Sequence, residues 1–177
     1  MDLRSPNKYC FAEELHGMSR DKPAELSEDA SALRLAVVAA RYNESLSDQL
    51  LASLLDRLTE AGVREENLVV ERVPGSHEVP GGLALLSEGE GFDCLIGLGV
   101  VIKGDTSHHR LVGESAAFGL QQIALESGSP TINGIVVVDD PGQAHDRVGS
   151  EIDRGAEFAE AAIKMGNLRQ KWKTKNQ

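Results

Sequence analysis

Apolar residues along this chain fall into short dense runs, separated by stretches in which they recur every three or four positions. The dense runs are residues 33–40 (LRLAVVAA), 68–73 (LVVERV), 95–102 (LIGLGVVI, opened by Cys94) and 131–138 (TINGIVVV). Their length and β-branched content mark strands, and the third, apolar without alternation, marks a strand buried on both faces. Between them the period becomes helical. Leucines 46, 50, 51, 54 and 58 form one stripe, opened by a capping-box pattern at Ser45 and Asp48 and closed at Gly62. A short helix through Leu83, Leu85 and Leu86 follows a turn with proline at both ends, Pro74 and Pro80. Behind the third strand, Leu111, Val112, Ser115, Gly119 and Ile123 predict a helix that stops at Gly128, with Pro130 beyond. Asp139, Asp140 and Pro141 open a helix through Ala144 and Arg147, and a last helix covers roughly residues 154–165. Strands alternating with helices at this spacing predict right-handed βαβ crossovers and an α/β fold in three layers, with a parallel sheet covered on both faces.

In open parallel sheets, ligands bind outside the carboxyl ends of the strands. That edge collects Tyr42 after the first strand, Ser76, His77 and Glu78 after the second, and Val101 to His108 after the third. The third strand matters most, because it runs through Gly97 and Gly99 into Gly104, Asp105, Thr106 and Ser107 just before a helix begins. A helix start offers unpaired N–H groups and a positive dipole end to an anion, phosphate above all. His108 sits in the first turn of that helix, so a phosphate cradle and a titratable imidazole stand together. This points to acid/base chemistry on a small phosphorylated molecule.

Composition narrows the field. The chain has 177 residues, 41% of them hydrophobic, which suits one domain (residues 33–168) with an N-terminal arm (1–32) and a basic C-terminal tail (169–177). A formal charge of −10 argues against a nucleic-acid or anionic-membrane partner, which dense Lys and Arg would bind. Phe11 and Leu15 could dock the arm on a neighbour. Cys10 and Cys94 offer neither a disulfide framework nor metal-ligand spacing; Cys94 reads as a small buried hydrophobe, and no metal or other cofactor is expected. Without a long apolar segment or a signal-peptide core, a cytoplasmic location fits.

Each candidate has a plainer alternative. Adjacent helical residues point about 100° apart, so His108 and His109 can hardly serve one ligand atom, and one of them is structural. Lys103 reads as a solvated lysine at a strand end. Glu78 is equally a loop charge or a ligand group, and Arg147 equally a salt-bridge partner of Asp146 or Glu151. Tyr42 reads as core or as a ring that stacks on a planar ligand. Thr106 is a better phosphate contact than Asp105, whose carboxylate would have to turn away.

Five segments together resemble the lumazine synthases: RYN at 41–43, PGSHEVP at 74–80, GVVIKGDTSHH at 99–109, INGIV at 132–136 and QAHDRVG at 143–149. The resemblance implies a flavodoxin-like α/β/α sandwich around a central four-stranded parallel sheet. It implies condensation of 5-amino-6-(D-ribitylamino)uracil with 3,4-dihydroxy-2-butanone 4-phosphate to 6,7-dimethyl-8-ribityllumazine, in riboflavin biosynthesis, without a cofactor. By position, Tyr42 would stack on the pyrimidine, Ser76, His77 and Glu78 would hold the ribityl chain and ring substituents, and Val100, Val101 and Ile102 would line the ring. Asp105, Thr106 and Arg147 would bind phosphate, and His108 would transfer protons. Asn133 stands where many members carry a bulky apolar or aromatic residue. The segment 150–154 departs from the family's lysine-rich spelling. The resemblance also implies a homo-oligomer with active sites at subunit interfaces, a pentamer or a sixty-subunit shell. A non-catalytic carrier of flavins or ribityl compounds, or a shell protein of the same fold, is the alternative.

Overall fold

The computed structural model describes residues 28–89, 91–149 and 151–175, so Cys10, Phe11 and Leu15 lie outside the described residues. Strands β1 (Leu35–Ala40), β2 (Leu68–Val73), β3 (Cys94–Ile102) and β4 (Thr131–Val138) form one parallel sheet in the order β2-β1-β3-β4. Helices α1 (Glu44–Glu60), α2 (Val79–Ser87), α3 (His108–Ser127), α4 (Pro141–Val148) and α5 (Arg154–Lys175) connect and cover it.

Side chains alternate across a strand, and the core divides accordingly. Leu35, Val37 and Ala39 of β1 join Cys94, Ile96 and Leu98 of β3 beneath α1, α4 and α5. Ala36, Val38 and Ala40 join Leu95 beneath α2 and α3. On that second face β3 carries Gly97 and Gly99 because neighbours stand too close for side chains. A Cβ on Gly97 would lie 2.8 Å from both Leu120 and Val79, and one on Gly99 would overlap the Ser76 hydroxyl.

Three local features differ from the sequence pattern. Helix α1 is entered through Asn43 in a left-handed conformation, not through a Ser45 cap. Helix α3 buries Gly113, Ala116, Leu120 and Ile123, while Leu111 is 62% exposed. Its inward face follows small residues, since a Cβ on Gly113 would stand 2.7 Å from Val137 and one on Gly119 2.8 Å from Pro80. Finally, α5 runs on to Lys175, so residues 169–175 of the basic tail are helical. They are tied to the amino edge of the sheet: the buried Asp93 carboxylate accepts from the Arg34 N–H at 3.0 Å and the Gln170 amide at 2.9 Å, and pairs with Lys173 at 3.4 Å. The Arg169 guanidinium donates to the Phe92 carbonyl and the Ser129 hydroxyl.

What positions the functional edge is a mismatch in strand length. Pairing of β1 with β3 ends at Ala39 and Leu98, whereas β3 stays paired with β4 as far as Ile102 and Val138. Residues 100–102 of β3 therefore project past β1 and leave one strand edge open at the carboxyl end of the sheet.

Candidate active site

A cavity of about 550 Å³ lies over that open edge. Its walls come from every loop at the carboxyl ends of β1, β2 and β3: Tyr42 and Asn43, then Gly75, Ser76, His77 and Glu78, then Val100, Val101, Ile102, Gly104 and Thr106. The start of α3 closes it with His108, His109 and Val112.

Tyr42 is held by its backbone and leaves its ring free. Its N–H donates to the Pro74 carbonyl at 3.0 Å, its own carbonyl accepts from the buried Ser47 hydroxyl at 2.9 Å, and the residue is 73% exposed. An aromatic face fixed at the mouth of a cavity can stack on a planar ligand. Across from it, Ser76 is buried against Gly99, and His77 meets the Ser115 hydroxyl through Nδ1 at 3.3 Å. Glu78, at the start of α2, keeps an exposed carboxylate beside Gly75.

The turn after β3 is short and polar. The His108 N–H lies 3.4 Å from the Thr106 hydroxyl, and His109 reaches back through Nδ1 to the Thr106 carbonyl at 3.0 Å. Both histidines border the cavity, although only His108 is exposed. His109 thus braces the turn, and His108 presents an imidazole to the cavity next to a helix N-terminus suited to an anion. Lys103, exposed, pairs with Asp139 at 3.8 Å. Among the described residues no cluster of three or more His, Cys, Asp or Glu is placed to hold a metal ion.

Three residues singled out by sequence lie outside this cavity's lining. Asp105 is exposed on the turn beside it. Asn133 pairs with Gly97 in mid-sheet, three residues before the level of Val100, which is about 10 Å along the strand; its Oδ1 accepts from the Ile135 N–H at 3.1 Å. Arg147 projects from α4, where its guanidinium donates to the Gln143 carbonyl one turn back at 3.1 Å. Asn43, Gly75, Gly104 and Val112 also line the cavity, although none was among the candidate site residues. Asn43 had a signal: an asparagine between a strand end and a helical stripe is a favoured left-handed residue.

Residues 32–170 match the family model described as 6,7-dimethyl-8-ribityllumazine synthase. A protein of that name from Pyrococcus furiosus is 42% identical over 136 residues, covering 77% of this chain and 85% of the relative. Its counterpart in Thermococcus kodakarensis is 37% identical over 143 residues, 81% of this chain and 90% of the relative. In Cupriavidus metallidurans the like-named protein is 37% identical over 144 residues, 81% of this chain and 83% of the relative.

Proposed function

Since the chain belongs to the 6,7-dimethyl-8-ribityllumazine synthase family, we propose that it makes that lumazine from 5-amino-6-(D-ribitylamino)uracil and 3,4-dihydroxy-2-butanone 4-phosphate. The observation that carries this reading is the single cavity that brings together an aromatic platform, an open strand edge, a phosphate-type turn and His108. The pyrimidine stacks on Tyr42 with its edge along Val100, Val101 and Ile102, and the ribityl hydroxyls lie among Ser76, His77 and Glu78. Backbone N–H groups at Asp105 and Thr106, with the Thr106 hydroxyl, hold the phosphate, while the Asp105 carboxylate turns outward.

The chemistry asks for proton movement and charge stabilisation only. The pyrimidine's amine adds to the butanone carbonyl and loses water to give an imine; inorganic phosphate leaves, and the ribitylamino nitrogen closes the ring with loss of a second water. His108 shuttles the protons of these steps, and a helix N-terminus beside the departing phosphate stabilises its charge. Positioning two substrates in one cavity supplies the rest.

Arg147 and Asn133 enter the proposal through assembly. Neither lines its own chain's cavity, and in keeping with the resemblance we assign them to the site of an adjacent copy, Arg147 to its phosphate and Asn133 to the rim of its pyrimidine pocket. The assembly we propose is a pentameric ring, with the short 149–155 connection favouring closure into a sixty-subunit shell. The catalytic unit is the domain of residues 33–168, flanked by the arm (1–32) and the basic segment 169–177. No helix among the described residues is long and apolar enough to cross a membrane, and the location we propose is the cytoplasm. Mixing the purified protein with both substrates and following lumazine fluorescence tests the reaction. Formation well above the spontaneous rate is expected, and a rate equal to it would remove the enzymatic reading.

A further inference from the structure

The β1–β3 ladder ends at Ala39 and Leu98. Because strand carbonyls alternate in direction, that of Val100 points the same way as that of Leu98, toward the side β1 has left. It accepts there from the Asn43 side-chain amide, Nδ2 to O, at 2.8 Å. The Asn43 backbone is left-handed, with φ 56° and ψ 49°, and its carbonyl receives the N–H groups of Leu46 and Ser47 at 3.0 Å each as α1 begins. The chain at Tyr42 has turned toward β2, where its N–H meets the Pro74 carbonyl. A side chain thus fills the place that the next β1 backbone donor would have taken.

We infer that Asn43 is a positioning residue for the planar-ring substrate. Its amide pins the open edge of β3, and its left-handed turn sets Tyr42, so one residue fixes the spacing between the stacking ring and the strand edge. This inference rests on the reading of the cavity's Tyr42 side as the pyrimidine site. The turn at residues 104–107 has braces of its own, His109 to Thr106 among them, and does not depend on Asn43.

Two substitutions separate the cross-link from the backbone shape. Asn43→Gly keeps the left-handed turn without steric strain and removes the bond; Asn43→Asp keeps the size and sets an acceptor against the Val100 carbonyl. In Asn43→Gly the Michaelis constant for the pyrimidine is expected to rise roughly two- to tenfold, the worth of one hydrogen bond, and more in Asn43→Asp. The constant for the butanone phosphate stays where it is. Fluorescence titration with the product lumazine, which needs no turnover, weakens in parallel. An unchanged pyrimidine constant and lumazine affinity in Asn43→Gly would overturn the inference, as would equal rises in both constants with a falling melting temperature. Should Asn43→Asp not fold, Asn43→Gly decides alone. If the unaltered chain binds lumazine but forms none, the reaction is wrong and the titration still judges Asn43; if it does neither, the pocket reading and this inference fall together.

Discussion

His109 holds the Thr106 carbonyl through Nδ1, whereas its neighbour His108 stands exposed at the cavity. On the proposed assignment the two therefore fail differently. His108→Ala lowers kcat, by about 10²-fold or less since the general acid/base contribution is roughly 10²–10⁴-fold and the reaction also runs spontaneously. His109→Ala loosens the turn and raises the Michaelis constant for the butanone phosphate. Steady-state kinetics on both variants read the split, and identical losses would contradict it. Cys94 makes a second prediction at this scale. Burial pushes its thiol from an ordinary 9.0 up to about 12. Below about pH 9 the thiol is neutral folded or unfolded and costs nothing; from there to about pH 12 only the unfolded thiol ionises, and stability falls by about 1.4 kcal/mol per pH unit. The difference in urea midpoint between the unaltered chain and Cys94→Ala should hold constant below about pH 9 and shift against the unaltered chain over that window.

Among the elements, β3 carries the most constraint, because on one face it must admit α2 and α3 closely and at its end it must stay unpaired. A Gly99→Ala substitution pushes the Ser76 hydroxyl out of its place. Overpacking of this kind costs about 1–3 kcal/mol, and displacement of Ser76 would also raise the pyrimidine's Michaelis constant. Thermal melts and kinetics check both parts; a variant as stable and active as the original would mean the hydroxyl moves freely. The strands and helices were legible from hydrophobic period together with the proline, glycine and cap signals at their ends, down to the burial of Cys94, although the last helix runs on past the expected end to Lys175. The start of α1 was not, because Ser45 offers a familiar cap while the actual entry uses the backbone of Asn43. The inward face of α3 was legible only in part: Gly119 and Ile123 stood in the expected stripe, but Gly113 and Ala116 did not, because glycine and alanine carry little hydrophobic signal, yet a glycine at 113 is what close packing against Val137 requires.

For the molecule as a whole, α3's outward stripe is the informative surface. Leu111, Phe118 and Leu125 are 62%, 78% and 75% exposed and recur every seven residues, so they stand along one face of the helix. On the proposed assembly, with this face as a subunit contact, Phe118→Glu is expected to yield a smaller particle in light scattering, with native circular dichroism and little activity; an unchanged mass would mean that the subunits meet elsewhere. The candidate site was readable from the pattern of the chain as far as one sheet edge gathers it. Tyr42, Ser76 to Glu78, Val100 to Ile102, Thr106 and His108 converge on one cavity because a single sheet edge gathers them. Arg147 and Asn133 do not line it, and their proposed place at a second copy's site comes from the family resemblance, since one chain's periodicity carries no signal for it.

The overhang of β3 beyond β1 has a consequence for solvent exchange. Backbone N–H groups alternate along a strand as carbonyls do, so the Ile102 amide shares the open side with Val100 and faces the cavity it lines. A flat molecule bearing carbonyl and N–H groups along its rim would extend the sheet there, as a missing strand would. Hydrogen–deuterium exchange at Ile102 would then slow on ligand binding, while that of Leu98, already within the β1 ladder, would hardly change. The unfinished edge makes the protein's own backbone a reporter of whether the cavity is filled.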